Sequence, residues 1–282
     1  MPSHVVEYEK MPNIHRERSW KGLTVRAAVT AAAIAPLLAC SAADAASQTI
    51  TLPPAHAGFD YQINKPYEPP AGVEVVSRDH TASPAPGLYN ICYVNAFQAQ
   101  PGAEGEWKDL LLKDADGEIV YDGDWGEAML DIRTDKNRKL IAAKVNAWVD
   151  SCADKGFDAV EPDNLDTFDR TDLLGADDAK AMIRLLADHA HQKGLATAQK
   201  NTAEFSTMRD ETGLDFAVAE ECGQWDECGD YAEGYGDHVI VIEYEQEHFD
   251  KACSGFADRL SIVMRDRDVL SPGDAGYVRE VC

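Results

Sequence analysis

Short apolar runs recur along most of the chain, and helical patterns separate the later ones. Most of these runs are continuously apolar rather than alternating. Continuous apolar runs are typical of parallel strands that are buried on both faces. The eight predicted strands are 59–63, 73–77, 88–94, 157–161, 195–198, 216–219, 238–242 and 260–264.

Two segments between these runs have the spacing of amphipathic helices. In 137–155 and 176–193, apolar side chains recur every three or four positions. Both segments end in Lys-Gly before an apolar residue, at Gly156 and Gly194. A glycine in this place is typical of a helix C-terminus that leads directly into a strand, as in βαβ units.

Eight strands with intervening helices predict one α/β domain over residues 58–282, a (β/α)8 TIM barrel. The connections 63–73 and 77–88 are too short for full helical crossovers, which need about a dozen residues or more. We therefore expect a barrel with reduced early helices. Long polar loops, chiefly 95–136, compensate elsewhere.

The first 57 residues are predicted to lie outside the barrel. Basic residues precede an uncharged run, 27–39, that suits the core of a signal peptide and is too short to span a bilayer. We predict a signal peptide over 1–39 and a tether over 40–57, which is rich in Ala, Ser and Pro.

The sequence Leu-Leu-Ala-Cys that ends at Cys40 resembles the lipobox of bacterial lipoproteins. The resemblance implies lipidation of Cys40, with ordinary cleavage after Ala45 as the alternative. The predicted location is therefore outside the cell, either as a secreted protein or as a cell-surface lipoprotein of a bacterium. Any contact with a membrane is expected only through this anchor.

Besides Cys40 the chain has six cysteines, an even number that favours disulfides in an exported protein. Six cysteines allow 15 connectivities. No CxxC or HxxxH spacing indicates a metal site, and we expect neither metal nor cofactor. The preferred pairing is Cys92 with Cys152, Cys222 with Cys228 and Cys253 with Cys282.

The chain is strongly acidic, with 50 acidic and 26 basic residues and a formal charge of −24. Five of the bases but only three of the acids lie in residues 1–40, so the remainder carries −26. Such a surface repels phosphate backbones, and we expect no nucleic-acid partner. It would attract a cationic ligand, although solubility alone also accounts for the charge.

Polar residues follow nearly every predicted strand, at the end where barrel enzymes have their active sites. Acids dominate this set, and paired carboxylates carry out glycoside hydrolysis. Asp163 and Glu220 follow the fourth and sixth strands, close enough to face one substrate. A calcium cage within 163–169 is a weaker alternative because the loop lacks the EF-hand spacing.

Several segments resemble the glycoside hydrolase family of endo-α-1,4-polygalactosaminidases. Two of them are specific in combination: Gly-Phe-Asp-Ala-Val-Glu-Pro-Asp-Asn at 156–164, and Glu-Glu-Cys with Asp-Glu-Cys within 220–228. Other matching segments are 59–62, 91–93, 126–133, 200–201 and 242–244. The resemblance covers nearly the whole predicted mature chain.

This resemblance implies hydrolysis of α-1,4-linked galactosamine polymers by a retaining mechanism, so the implied partner is a cationic amino-sugar polysaccharide. Asp163 would be the nucleophile and Glu220 the acid/base. We expect a monomer. The residues that the resemblance implies for the sugar-binding cleft are Asp60, Tyr93, Asp131, Asp166, Lys200 and Glu243.

Three alternatives stay open at this point. The family usually has Asn before its strand-six glutamate, and this chain has Ala219, which leaves a non-catalytic binder of cationic glycans as a hypothesis. An α-glycosidase with another substrate, such as α-linked galactose, is the second. For Asp131, an ion pair with Arg133 fits the sequence as well as a sugar contact does.

Overall fold

The computed structural model describes residues 49–282. The predicted signal peptide, Cys40 and the start of the predicted tether lie outside the described residues. The strands are β1 (Phe59–Gln62), β2 (Val75–Asp79), β3 (Tyr89–Asn95), β4 (Gln98–Ala99), β5 (Ala128–Met129), β6 (Ala159–Asp163), β7 (Ala196–Lys200), β8 (Phe216–Glu220), β9 (Val239–Glu243), β10 (Ser261–Arg265) and β11 (Arg279–Val281).

Most helices of the described residues 49–282 lie in the second half of the chain. Two 3-10 helices follow β6 and β7, at Leu165–Arg170 and Ala203–Thr207. Among residues 49–282, no helix combines the length and apolar character needed to cross a membrane. The α-helices are α1 (Glu104–Trp107), α2 (Asp135–Lys155), α3 (Ala176–Gln192), α4 (Arg209–Thr212), α5 (Cys222–Trp225), α6 (Cys228–Tyr235) and α7 (Gln246–Phe256).

Eight parallel strands form a curled sheet in the order β1-β2-β3-β6-β7-β8-β9-β10, and β11 pairs with β10 in the antiparallel direction. Each of the eight predicted apolar runs contributes one parallel strand. Residues 63–88 contain no helix, although the structure describes all of them. The prediction of a TIM-barrel fold with reduced early helices is confirmed.

Arginine side chains join β1 to the other end of the sheet. Arg265 of β10, which is fully buried, donates to the carbonyl oxygen of Tyr61. Arg279 of β11 donates to the carbonyl oxygen of Phe59 at 2.9 Å. Both guanidinium groups also contact the Asp60 carboxylate, at 3.4 Å and 3.1 Å. These contacts hold the first strand against the last.

Side-chain alternation divides the apolar residues into two cores, because successive side chains of a strand point to opposite faces. The outer core lies between the sheet and the helices and includes Val160, Ala217 and Val241. The inner core fills the barrel. Its strand residues include Phe59, Tyr61, Val75, Ile91, Ala159, Ala198, Phe216, Val218, Ile240, Ile242 and Val263.

The longest helix, α2, is defined at both ends by its sequence. The Thr134 hydroxyl accepts a hydrogen bond from the Asn137 backbone N–H at 3.1 Å, which caps the N-terminus. Gly156 ends the helix with a φ of 89° in the left-handed region, where glycine carries no steric cost. Cys152 lies on the buried face of α2 and is bonded to Cys92 of β3.

The long segment 95–136 folds against the outer core. Strands β4 and β5 form a small antiparallel sheet. Trp107, Leu112 and Met129 of this segment are buried among the residues of that core. The segment therefore contributes hydrophobic packing as well as a polar surface.

The described part of the predicted tether, residues 49–57, contacts the barrel. Ile50 and Leu52 pack against the inner core. The Tyr89 hydroxyl donates to the Thr51 carbonyl oxygen at 2.7 Å. Residues 50–52 therefore lie against the barrel.

Within residues 49–282, three disulfides are formed, and their pairing is the predicted one. Each ties a helix to another part of the fold, apart from the short bridge that links α5 to the adjacent α6. The bonds are Cys92–Cys152, Cys222–Cys228 and Cys253–Cys282.

We expect the Cys92–Cys152 bond to stabilise the fold more than the Cys222–Cys228 bond does. The two bonds close loops with sequence separations of 60 and 6 residues. In the chain-entropy description, replacing each pair with alanines costs about 4 and about 2 kcal/mol respectively. Urea unfolding of the two double variants measures both losses. Equal losses would contradict the loop-length explanation.

Candidate active site

A cavity of about 340 Å³ opens at the C-terminal ends of the parallel strands; we call it the active-site cavity. Its walls come from β1, β2, β3, β6, β7 and β8 and from the loops that follow the strands. Its lining residues are Tyr61, Ile63, Asn64, Asp79, Tyr93, Gln100, Trp125, Glu127, Asp163, Asn164, Arg170, Lys200, Asn201, Glu220, Tyr244, Arg267, Asp268 and Val269.

Three adjacent strands each end in a charged residue of this cavity. Asp163, Lys200 and Glu220 are the last residues of β6, β7 and β8. Each lies an even number of positions after an inner-core residue of its own strand, and side chains at such positions share a face. The strand pattern therefore directs all three side chains to the inside of the barrel.

The Lys200 ammonium lies between the two acids. Its Nζ is 3.0 Å from Asp163 Oδ1 and 3.2 Å from Glu220 Oε2. The side chain is almost fully buried. Burial opposes the charged form, but the carboxylates of Asp163, Glu220 and Glu161 raise the pKa of Lys200 well above its ordinary value. Lys200 is therefore a cation in the protein without ligand.

Asp163 is held as a carboxylate. Burial acts to raise its pKa, but Lys200 and hydrogen-bond donors outweigh burial and lower the pKa below its ordinary value. The donors are the Tyr93 hydroxyl at 2.6 Å and the backbone N–H of Asn164 at 2.8 Å. An ionised carboxylate at the strand end is suited to nucleophilic attack.

Glu220 has a different set of partners. The Tyr244 hydroxyl donates to its Oε1, and the Asn201 side-chain amide donates to its Oε2 at 3.1 Å. The Asn201 amide oxygen also accepts from the Glu220 backbone N–H at 2.8 Å. Asn201 therefore fixes both the backbone and the carboxylate of Glu220.

The residues that follow the three charged strand ends are all in the left-handed backbone region. Asn164, Asn201 and Glu221 have φ values of 64°, 52° and 57°. Non-glycine residues seldom adopt this conformation, and such strain concentrates at functional sites. The sharp turns let each chain leave the barrel immediately after its charged residue.

Two further residues of the predicted cleft lie at or beside the cavity. Tyr93 lines it and donates to Asp163. Asp166 lies one turn after β6, where Arg170 binds its two carboxylate oxygens at 2.8 and 2.9 Å. Arg170 also contacts Asp122 and lines the cavity. Asp166 therefore holds in place an arginine of the cavity wall.

The structure places the other three predicted cleft residues away from the cavity. Asp60 is buried against Arg265 and Arg279. Asp131 forms a two-point ion pair with Arg133, at 2.8 and 2.9 Å, which is the ion pair considered from the sequence. Strand alternation directs the Glu243 side chain toward the outer core, where it accepts from the Gly223 backbone N–H at 2.7 Å.

Four residues of the site had no place in the sequence-based set, although alternation along the strands could have found three of them. Tyr61, Glu161 and Tyr244 each lie two positions from a residue of the inner core or of the site. Asn201 directly follows Lys200. At the end of β9 the structure places Tyr244 in the cavity lining and turns the preceding Glu243 to the outer face, because adjacent side chains of an extended segment point to opposite sides.

Two carboxyl groups with no exposure to solvent have strongly raised pKa values. Burial raises the pKa of Glu161 to about 7, against the opposing effect of Lys200. Burial also raises the pKa of Glu243 to about 7, and its Oε2 has no hydrogen-bond partner among the described residues. Glu161 faces the inside of the barrel, whereas Glu243 faces its outside.

Two of the three acids in the calcium cage considered for 163–169 already have basic partners. Lys200 binds Asp163, and Arg170 binds Asp166. Among the described residues, the cysteine and glutamate atoms of Cys222, Cys228 and Glu243 come within 4.8 Å of one another. These two sulfurs are joined in a disulfide and are not thiolates.

Comparison with known proteins identifies the family. The family model of glycoside hydrolase family GH114 matches residues 39–282. The barrel, with paired carboxylates at its C-terminal face, is the arrangement of a glycoside hydrolase. The chain belongs to family GH114 and is a glycoside hydrolase. No match was found among curated protein sequences.

Two solved structures share the fold. The crystal structure of Aspergillus fumigatus Ega3 in complex with galactosamine is 23% identical, with a TM-score of 0.66 over 83% of this chain and 98% of that one. The glycoside hydrolase domain of PelA from Pseudomonas aeruginosa is 15% identical, with a TM-score of 0.52 over 80% and 99%. At these identities the likeness establishes the fold.

We expect the two buried glutamates to make the protein less stable as the pH rises from about 4.5 to about 7. A carboxyl group whose pKa is raised on folding binds more protons in the folded state within that window, so its contribution to stability is lost as the pH rises through the folded pKa. For Glu161, the rise in pKa from 4.5 to about 7 corresponds to a loss of about 3 kcal/mol in unfolding free energy across this window.

Substitution with glutamine isolates this effect. The difference in unfolding free energy between wild type and Glu161→Gln should fall across the window, and Glu243→Gln should behave in the same direction. Urea unfolding at pH 5, 6, 7 and 8 measures it. Differences that stay constant with pH would show that neither carboxyl titrates there.

Proposed function

We propose that this enzyme cleaves α-1,4-linked galactosamine polymers by a retaining mechanism, with Asp163 as nucleophile and Glu220 as acid/base. The observation that carries the proposal is the position of Lys200 Nζ, which contacts both carboxylates. One ammonium group can do this only if the two acids face the same small volume. Family membership supplies the reaction class.

The spacing of the acids favours retention of configuration. Because Lys200 Nζ contacts both acids, Asp163 Oδ1 and Glu220 Oε2 lie within roughly 6 Å of each other. Inverting enzymes separate their carboxyl groups by about 6.5–9.5 Å to admit a water molecule. In the first step, Asp163 attacks the anomeric carbon while Glu220 gives its proton to the leaving oxygen. In the second, Glu220 removes a proton from water, which then attacks the glycosyl–Asp163 ester.

The charge of the cavity supports an amine-bearing substrate. Its two arginines are already paired with acids outside the lining, Arg170 with Asp166 and Arg267 with Glu221. The acids Asp79, Glu127 and Asp268 also line it, so the cavity is net acidic. The galactosamine that is bound in the Ega3 structure carries such an amine.

Glu127 is the acid best placed to bind that amine. The side-chain amides of Asn95 and Asn164 both donate to its Oε2, at 2.8 and 3.3 Å. These bonds fix the carboxylate and leave Oε1 available to a ligand in the cavity. A fixed carboxylate recognises an ammonium group better than a mobile one does, because less conformational entropy is lost on binding.

The non-catalytic binder is less well supported. That hypothesis rested on Ala219, where the family usually has asparagine. Ala219 is fully buried in the outer core, among residues that face the helices. A side chain at this position points away from Asp163 and Lys200, so its loss leaves the acids of the cavity intact. An α-glycosidase with another substrate, such as α-linked galactose, remains the second candidate, since the paired acids alone do not select an amino sugar.

The proposed enzyme acts outside the cytoplasm. Its three disulfides favour an oxidising compartment. The signal peptide, the lipidation of Cys40 and the monomeric state stay predictions from the sequence.

We expect Asp163→Asn and Glu220→Gln each to lower kcat/KM on polygalactosamine by at least about a thousandfold, because each removes a group that acts in both steps. Asp131→Asn, which changes an acid outside the cavity, is the matched control and should keep near-wild-type activity. Release of reducing ends measures cleavage, and NMR of the first-formed product gives its anomeric configuration. Full activity in either carboxylate variant would refute the assignment, and a β-configured first product would refute retention.

We expect Glu127→Gln to raise KM for the free-amine polymer by about tenfold or more, because a charge-assisted hydrogen bond to the amine is lost. The N-acetylated polymer has no charge at that nitrogen and serves as the internal control. Its cleavage, however slow, should change little in the variant. An equal rise in KM for both polymers would mean that Glu127 does not bind the amine.

A further inference from the structure

The wall of the active-site cavity carries an exposed aromatic side chain, Trp125. Among the described residues that line the cavity, Tyr61 is buried, and Tyr93 and Tyr244 are partly buried. The hydroxyl groups of these tyrosines each donate to a carboxylate of the site. Trp125, by contrast, is 58% exposed and belongs to neither apolar core. Its indole is therefore a flat apolar surface that a ligand in the cavity can cover.

The turn that carries Trp125 is fixed by a buried acid. Asp122 Oδ1 accepts the backbone N–H groups of Asp124 and Trp125 at 2.8 and 3.3 Å. The Asp122 backbone N–H donates to the Glu127 carbonyl oxygen at 2.8 Å. Arg170, in the 3-10 helix that follows β6, donates to the other carboxylate oxygen of Asp122. The turn is therefore tied to the loop that follows the proposed nucleophile.

Trp125 and Glu127 lie two positions apart at this turn, and both line the cavity. Together they offer a flat apolar surface near a carboxylate. A galactosamine ring has the matching parts, because its amine is cationic and the face opposite its axial 4-oxygen carries the C–H groups of carbons 3, 4 and 5 side by side. Aromatic rings gain dispersion contacts and bury apolar area against such a C–H surface.

We propose that Trp125 is a stacking platform for the pyranose ring of the substrate, and that the ring lies on the indole while its amine binds Glu127. This inference rests on the proposed function and adds the residue that contacts the sugar ring itself. The tryptophan side chain has two side-chain torsions and stands on a fixed turn. Little conformational entropy is therefore lost when the sugar binds.

The test is the affinity of an α-1,4-linked galactosamine tetramer for variants built on Asp163→Asn, which slows cleavage. Adding Trp125→Ala should raise Kd by about tenfold or more, because the stacked ring surface returns to water. The N-acetylated tetramer should lose affinity by a similar factor, because stacking depends on the C–H face and not on the amine. Glu127→Gln should weaken only the free-amine tetramer. Isothermal titration calorimetry measures each Kd.

Three further variants distinguish stacking from a general loss of bulk. Trp125→Phe keeps a flat ring and should stay within about threefold of the parent, whereas Trp125→Leu keeps apolar bulk without a flat face and should behave like Trp125→Ala. Trp225→Ala is the matched control, because Trp225 is 63% exposed at the end of α5 but does not line the cavity. It should bind both tetramers like the parent.

A structural role for Trp125 is tested by urea unfolding. Because Trp125 packs in neither apolar core, Trp125→Ala should unfold at the same urea concentration as the parent. Equal affinities of Trp125→Ala and Trp225→Ala would overturn the inference. So would a loss confined to the free-amine tetramer, full affinity in Trp125→Leu, or a lowered unfolding midpoint in Trp125→Ala.

The binding measurement separates this inference from the proposed function. If wild type fails to cleave polygalactosamine, the proposed function fails, but the titrations need no cleavage and still decide the role of Trp125. A sugar stacked on the indole should also change the tryptophan fluorescence of the parent, and this change should be lost in Trp125→Phe. Failure of both tetramers to bind the parent, or an unchanged fluorescence response in Trp125→Phe, would reject the stacking platform.

Discussion

The buried ammonium group of Lys200 is the interaction on which the site depends. Moving a charge out of water costs several kcal/mol, and only close partners of opposite sign offset that cost. Here Asp163, Glu220 and Glu161 surround it at 3.0 to 3.4 Å. The dependence is mutual, because without the ammonium the same strand ends would bring three carboxylates together with no counter-charge. The register of β6, β7 and β8 is therefore fixed by charge as well as by apolar packing.

Much of this arrangement could be predicted because it follows from local rules. Continuous apolar runs marked all eight parallel strands, and Gly156 marked the end of the longest helix. Acids after predicted strands led to Asp163 and Glu220. The strand predicted over 157–161 ended two residues early, however, and β6 includes Glu161 and Asp163 on one face. Alternation from the apolar residues of each strand would have added Glu161 and Tyr244 to the residues expected on the inner face.

What the sequence could not supply were partners brought together by the tertiary fold. Asp60 follows an apolar start to its strand and looks like a cleft acid, yet it is buried against Arg265, which is 205 residues away. No local sequence pattern predicts that contact. It is one of the contacts that hold the first strand of the barrel against the last. Asp131 was ambiguous for the opposite reason, because its partner Arg133 is so close in sequence that an ion pair and a free carboxylate leave the same pattern.

The overall charge of −24 takes on a narrower meaning once the site is described. A large negative charge attracts a polycation from a distance but does not place it. Inside the cavity, the positive charge of Lys200 lies between Asp163 and Glu220 and would repel an amine. On the proposed function, the amine of a bound sugar would therefore lie on another wall, toward acids such as Glu127 that have no basic partner of their own in the described part of the chain. Global charge would then attract the polymer to the enzyme, and the positions of Lys200 and Glu127 in the cavity wall would orient the sugar.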